Sequence, residues 1–360
     1  MRLIPVVLAC ALWFGGMAAS FAQDIGHEGP SFQGAGATPS GSKPESKLWF
    51  HDGIWWGVLW DTATSDFTIW RLDVATQTWV NTGTQVDTRS GTRGDVLWDG
   101  ARLYIASHRY TTAGAESGHP GRLFRYAYGP ATKGWTLDAG FPVAINDYRT
   151  ETLTIEKDST GTLWAAWMQG RRVYVSHSLG SDTNWATPYL LPADDTDADG
   201  DDLCAIVAFG GNQVGVMWSD QVAGTMWFTV HVDGAPDTAW SPKEIALSDA
   251  DDHINLKADS LGRVYAAVKR STDENLILRR DVAGVWTSHL VSHEDLKYTR
   301  PIVILREEAG EMYVFSASPE TGGTIYRKRS AFDPIDFDSA PGVPVIRDAD
   351  MLRMNAPTST

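Results

Sequence analysis

The chain has 360 residues and a formal charge of −15, from 30 Lys and Arg against 45 Asp and Glu. That sign argues against nucleic acid as a partner, because phosphate binding rests on clustered cations. A hydrophobic content of 43% excludes a disordered chain, and the 16 Trp and 34 Gly point to many aromatic contacts and many turns.

In chain order, residues 1–22 read as a signal peptide. Arg2 supplies the positive start, Leu3 to Phe14 the apolar stretch, and Ser20-Phe21-Ala22 the small-residue cleavage site. Cleavage after Ala22 makes the protein secreted or periplasmic; the alternative is an uncleaved anchor. No other run approaches membrane-spanning length, so no membrane span remains after cleavage. Residues 23–42, rich in Gly, Ser and Pro without a period, read as a flexible linker. One cysteine then remains, Cys204, inside the apolar run Leu203-Cys204-Ala205-Ile206-Val207, where a buried inert thiol is expected.

From residue 43 to 337 one pattern recurs six times. A polar start leads into an alternating strand, a glycine turn and a second strand rich in Trp, Tyr or Val. The turn glycines are Gly53, Gly100, Gly161, Gly211, Gly262 and Gly310, at spacings of 47, 61, 50, 51 and 48. A third strand follows, then a tight loop ending in an aromatic: Trp79, Trp135, Trp185, Trp240, Trp286 and, in the sixth unit, Phe337. Four strands in about 50 residues, repeated, predict an all-β fold: a six-bladed β-propeller of four-stranded antiparallel blades, with seven blades as the alternative. The recurring aromatic wedges blade against blade, so most tryptophans are expected in the core. Residues 338–360 form a C-terminal tail that completes the last blade through Val343-Pro344-Val345-Ile346 or hangs free.

The loops before these aromatics include Asp73-Val74-Ala75-Thr76-Gln77-Thr78-Trp79, Leu179-Gly180-Ser181-Asp182-Thr183-Asn184-Trp185 and Asp281-Val282-Ala283-Gly284-Val285-Trp286. They are reduced forms of the Asp-box, Ser-x-Asp-x-Gly-x-x-Trp. In this the chain resembles the sialidase-like (Asp-box, or BNR-type) six-bladed propellers secreted by bacteria. The resemblance implies the architecture, assigns the Asp-box a turn-forming role, and inclines the function towards carbohydrate.

In a propeller the inner strands begin around one mouth of the central channel, where ligands bind. Those starts are charged here. Glycoside hydrolysis needs two carboxyls across the scissile bond, for which Glu151, Asp252 and Asp95 are the candidates. A lyase would instead use His253 or Tyr298 to take the proton beside a uronate. Arg93, Arg149 and Arg300, with Lys47 and Asp202, would bind substrate, the guanidinium groups clamping an anionic sugar's carboxylate. The expected function is therefore to bind, and as an enzyme to cleave, an acidic glycan, with hydrolase placed before lyase. The alternative is a non-catalytic propeller for glycans or a cell-surface protein. Asp195, Asp197 and Asp199, in Asp-x-Asp-x-Asp-Gly, could hold Ca2+ in a loop without the flanking helices of an EF-hand.

Overall fold

The six turn glycines share one backbone state: all have positive φ, between 63° and 90°. Only glycine enters that region without a steric cost, which is why the period is written in glycine. Each sits at or beside the tip of the hairpin that joins a blade's first two strands. An aspartate closes several of these turns. In blades two, three and five, Oδ1 of Asp99, Asp158 and Asp259 accepts two backbone N–H groups of its own turn each. Asp73 and Asp281 do the same in the outer hairpins of blades one and five. A short carboxylate satisfies amides that the turn leaves without strand partners.

The computed structural model describes residues 26–27, 29–35, 44–112, 115–194, 197–319 and 323–347. The expected signal peptide lies outside them. The fold is all-β, with six blades of four antiparallel strands around a channel. The innermost strands are Leu48–His51, Thr92–Trp98, Leu153–Lys157, Cys204–Phe209, Ile254–Ala258 and Thr299–Arg306. Blade two gains a short fifth strand, Val143–Ala144, beside its third. The only helical segments among the described residues are two single 3-10 turns. Val343–Arg347 pairs antiparallel with Thr324–Ala331 and is the outermost strand of blade six.

Five apolar clusters fill the wedges between successive blades. The recurring aromatic enters them in blades two to six, as the repeat predicts, whereas Trp79 of blade one belongs to none of them. Trp135 of blade two lies edge-on to Trp49 and Trp56 of blade one, both at 5.6 Å. Trp240 meets Trp164 of blade three at 5.8 Å, and Trp286 meets Phe228 of blade four at 5.2 Å. Cys204 is fully buried, and burial pushes its thiol pKa up.

Polar pins also cross between inner strands. Asp95 accepts from the amide of Ile155, Thr154 Oγ1 from that of Ile206, and Asn255 Oδ1 from that of Val303. All three side chains are buried. Among the described residues, no apolar cluster joins blade six to blade one. Part of the stretch whose composition reads as linker reaches both of these blades instead. Gly26 N–H donates to Val345 O of the last strand at 2.6 Å. Phe32 and Ala35 pack against the blade-one core, and Gln33 O accepts from Trp60 Nε1 at 3.1 Å.

Candidate functional site at the leading ends of the inner strands

Each four-stranded blade returns the chain to the same end of the channel, so the six inner strands start at one mouth. Glu45 and Lys47, Arg93, Glu151, Asp202, Asp252 and His253, and Arg300 all fall at or just before those starts. Much of this charge is already spent within the protein. Glu45 is buried and accepts from Lys47 Nζ at 2.8 Å and from the Leu153 amide at 3.1 Å; its other close partner is His108 Nε2 at 2.6 Å. Burial opposes its ionisation, but Lys47 and His108 outweigh that and hold the carboxyl well below its usual range. Lys47 also donates to the Gly94 carbonyl and is itself buried, so it locks blade one onto blade two.

A second knot closes blade five onto blade six. His253 Nδ1 faces the carboxylates of Asp251 and Asp252, the latter at 2.7 Å, while Nε2 meets Thr299 Oγ1 at 2.8 Å. Lys269 Nζ bonds Asp251 at 3.1 Å. Asp251, Asp252 and His253 bring three donor atoms within 4.8 Å, a metal-like set, but the lysine already supplies the positive charge there. Tyr298 is buried, stacks on Tyr326 at 5.1 Å, and donates its hydroxyl to the Pro341 carbonyl.

Asp95 lies deeper, in the strand and buried, with Oδ1 accepting from Ser46 N at 2.6 Å and Oδ2 from Ile155 N at 2.9 Å. Burial is the main cause of its carboxyl rising to about 7. Asp202 Oδ2 accepts from the amides of Asp199 and Gln221, and burial raises its pKa too. Glu151 is half-buried directly before the blade-three strand. In the acidic loop, Asp195 lies outside the described residues. Asp197 turns to Arg171 at 3.3 Å, and Asp199 Oδ1 accepts from the amide of Gly200.

The arginines stand apart from these pairings. Arg93 is 8% exposed, and its guanidinium lies 3.6 Å from the centre of the Tyr110 ring, with no carboxylate partner among the described residues. Arg109 follows on the neighbouring strand, opposite Thr92, and its carbonyl accepts from the Thr150 amide. Arg149 is the residue before Thr150. The Nε atoms of Arg93, Arg109 and Arg149 are all buried without an acceptor. Glu116, half-exposed, brings a carboxylate to this group, 3.3 Å from Arg149 and 3.0 Å from His119 Nε2. Arg300 is exposed, with φ of 53° at a strand irregularity. Sequence reasoning missed Arg109. Its signal was register: it closes the second strand of blade two, beside the start that carries Arg93.

No protein-family model matches the chain, and no curated protein matches it in sequence. Solved structures match it in shape. AofleA from Arthrobotrys oligospora superposes with a TM-score of 0.51 at 9% identity, covering 83% of this chain and 86% of that one. An alpha-L-arabinofuranosidase from Fusarium graminearum gives 0.50 at 9% identity, covering 87% and 98%. A protein of unknown function from Dyadobacter fermentans gives 0.50 at 9%, covering 81% and 95%. At these identities the likeness establishes the propeller fold.

Proposed function

We propose that this propeller binds an acidic glycan at the mouth where its inner strands begin. The observation that carries the reading is three arginines on adjoining segments near this mouth, Arg93 on one face of the blade-two strand pair and, on the other, Arg109 linked through His119 and Glu116 to Arg149, each with a buried Nε that lacks an acceptor. A buried donor without a partner costs free energy that a carboxylate or sulfate oxygen would recover. The alpha-L-arabinofuranosidase among the structural matches agrees with a sugar ligand.

Binding is favoured over turnover by what the carboxyls do. Asp95 is held by two backbone amides and Asp252 faces an imidazole, so both have structural work. The test uses polygalacturonate, alginate and hyaluronan as probes, with titration calorimetry and an assay for reducing ends. Arg149→Gln and Arg300→Gln should each weaken binding of the preferred polymer roughly tenfold, in line with a charge-assisted hydrogen bond, with little change in melting temperature. Unchanged affinity in both variants would overturn the reading, and released sugar would overturn its non-catalytic part.

A further inference from the structure

A cavity of about 350 Å³ runs along the channel, from Ser46, Asp95 and Thr154 in the leading part of the inner strands to Phe50, Trp98, Glu156 and Lys257 near their finishing ends. That is within the range of small-ligand sites. Its polar wall comes from Asp95, Glu156 and Lys257, its aromatic wall from Phe50, Trp55 and Trp98.

Register explains the polar wall. Where the inner strand pairs with the aromatic that opens the second strand (Tyr104, Trp164, Tyr265 or Tyr313), blades two and six carry Leu97 and Ile304. Blades three and five carry Glu156 and Lys257 at the same step. An apolar position in the repeat has become a pair of opposite charges on two different blades. Packing alone would keep an aliphatic residue there.

The aromatic wall arises from the short hairpin of blade one. Phe50 pairs directly with Trp55, ring centres 5.3 Å apart and inclined at 53°. Both are surface-accessible, Phe50 at 53% and Trp55 at 36%. Trp98 completes the wall, fixed by His51 at 4.4 Å and Trp135 at 5.4 Å. Exposed aromatics beside a polar cavity are a recognition surface.

The charges select the ligand. A net anion entering would meet Asp95 and Glu156, and a net cation would meet Lys257. Burial raises the Glu156 carboxyl to about 8, and the nearby Asp95 adds to it. Burial also lowers the Lys257 ammonium. The wall thus sets two carboxyls beside one ammonium and offers both acceptors and donors of hydrogen bonds. A sugar ring has hydroxyls that do both and a C–H face that lies on an aromatic ring. We propose that the finishing end of the channel is a binding site for an uncharged sugar residue. It is independent of the arginine mouth at the other end.

The experiment titrates the full chain with glucose, galactose, mannose, xylose, arabinose, fucose and N-acetylglucosamine, with glucuronate as the charged counterpart of glucose. Calorimetry reads affinity, and tryptophan emission reports on the aromatic wall. At least one neutral sugar should bind saturably and shift the emission. Trp55→Ala should weaken it roughly tenfold or more, and Glu156→Gln and Lys257→Met should each weaken it several-fold. Circular dichroism confirms that each variant folds, and Trp55, being on the surface, keeps the test available if a buried substitution does not. Arg149→Gln should leave this affinity unchanged, which separates the two ends. No binding by any neutral sugar, full affinity in Trp55→Ala, or tighter binding of glucuronate than of glucose would overturn the proposal.

Discussion

Single residues show how the same side-chain type takes opposite roles in one molecule. Glu45 is an ionised carboxylate held by Lys47 and His108, whereas Glu156 has burial and Asp95 working against its charge. Stability follows with defined sign. Glu156 rises from an ordinary 4.5 to about 8 on folding, so the folded chain keeps a proton that the unfolded chain releases. The contribution is complete below the unfolded value and is lost as pH climbs through the folded one. Glu156→Gln should therefore flatten the fall in melting temperature between about pH 5 and 8; parallel curves for variant and parent would refute this. Lys47→Met takes the ammonium partner from the buried Glu45. Removing one partner of a buried pair costs about 3 kcal/mol or more, measurable as a lower urea midpoint with an unchanged slope.

Elements were largely legible in the sequence because their requirements are local. A positive φ at each hairpin turn demands glycine, and an outer aromatic must fill each wedge, so the period of Gly53, Gly100, Gly161, Gly211, Gly262 and Gly310 carried the blade count. The destination of polar groups at the strand starts was less legible. Lys47, Asp95 and Asp202 have the pattern of groups lining a mouth, yet they turn to neighbouring chain segments. Alternation tells which face of a strand a residue occupies, not whether that face meets water or the next blade's amides. Glu156 and Lys257 escaped notice for the opposite reason. They stand near strand ends, where charge reads as ordinary turn polarity. Among the pins, Asn255→Val removes the acceptor for the Val303 amide and should cost about 1–3 kcal/mol. A denaturation midpoint equal to the parent's would show that water replaces the side chain.

On the scale of the whole molecule, the described residues form five apolar wedges and leave one junction, between blades six and one, without such a cluster. Gly26 bonds to Val345 of blade six, while Phe32, Gln33 and Ala35 meet Trp60 and its neighbours in the core beside blade one. A chain beginning at residue 36 should melt at a lower temperature and exchange amide hydrogens first in blades one and six. Uniform exchange around the ring would show that the segment contributes nothing to closure.

That strap has a bearing on how the molecule is made. Gly26 leaves the ribosome among the first folded residues, and its partner Val345 follows 319 residues later. Every blade is built from consecutive strands, so each can form as it emerges, but the circle is fastened only once Gly26 and Val345 have both been made. A nascent or clipped product would thus be an open arc with both sheet ends bare, a form that quality control can tell from the finished ring.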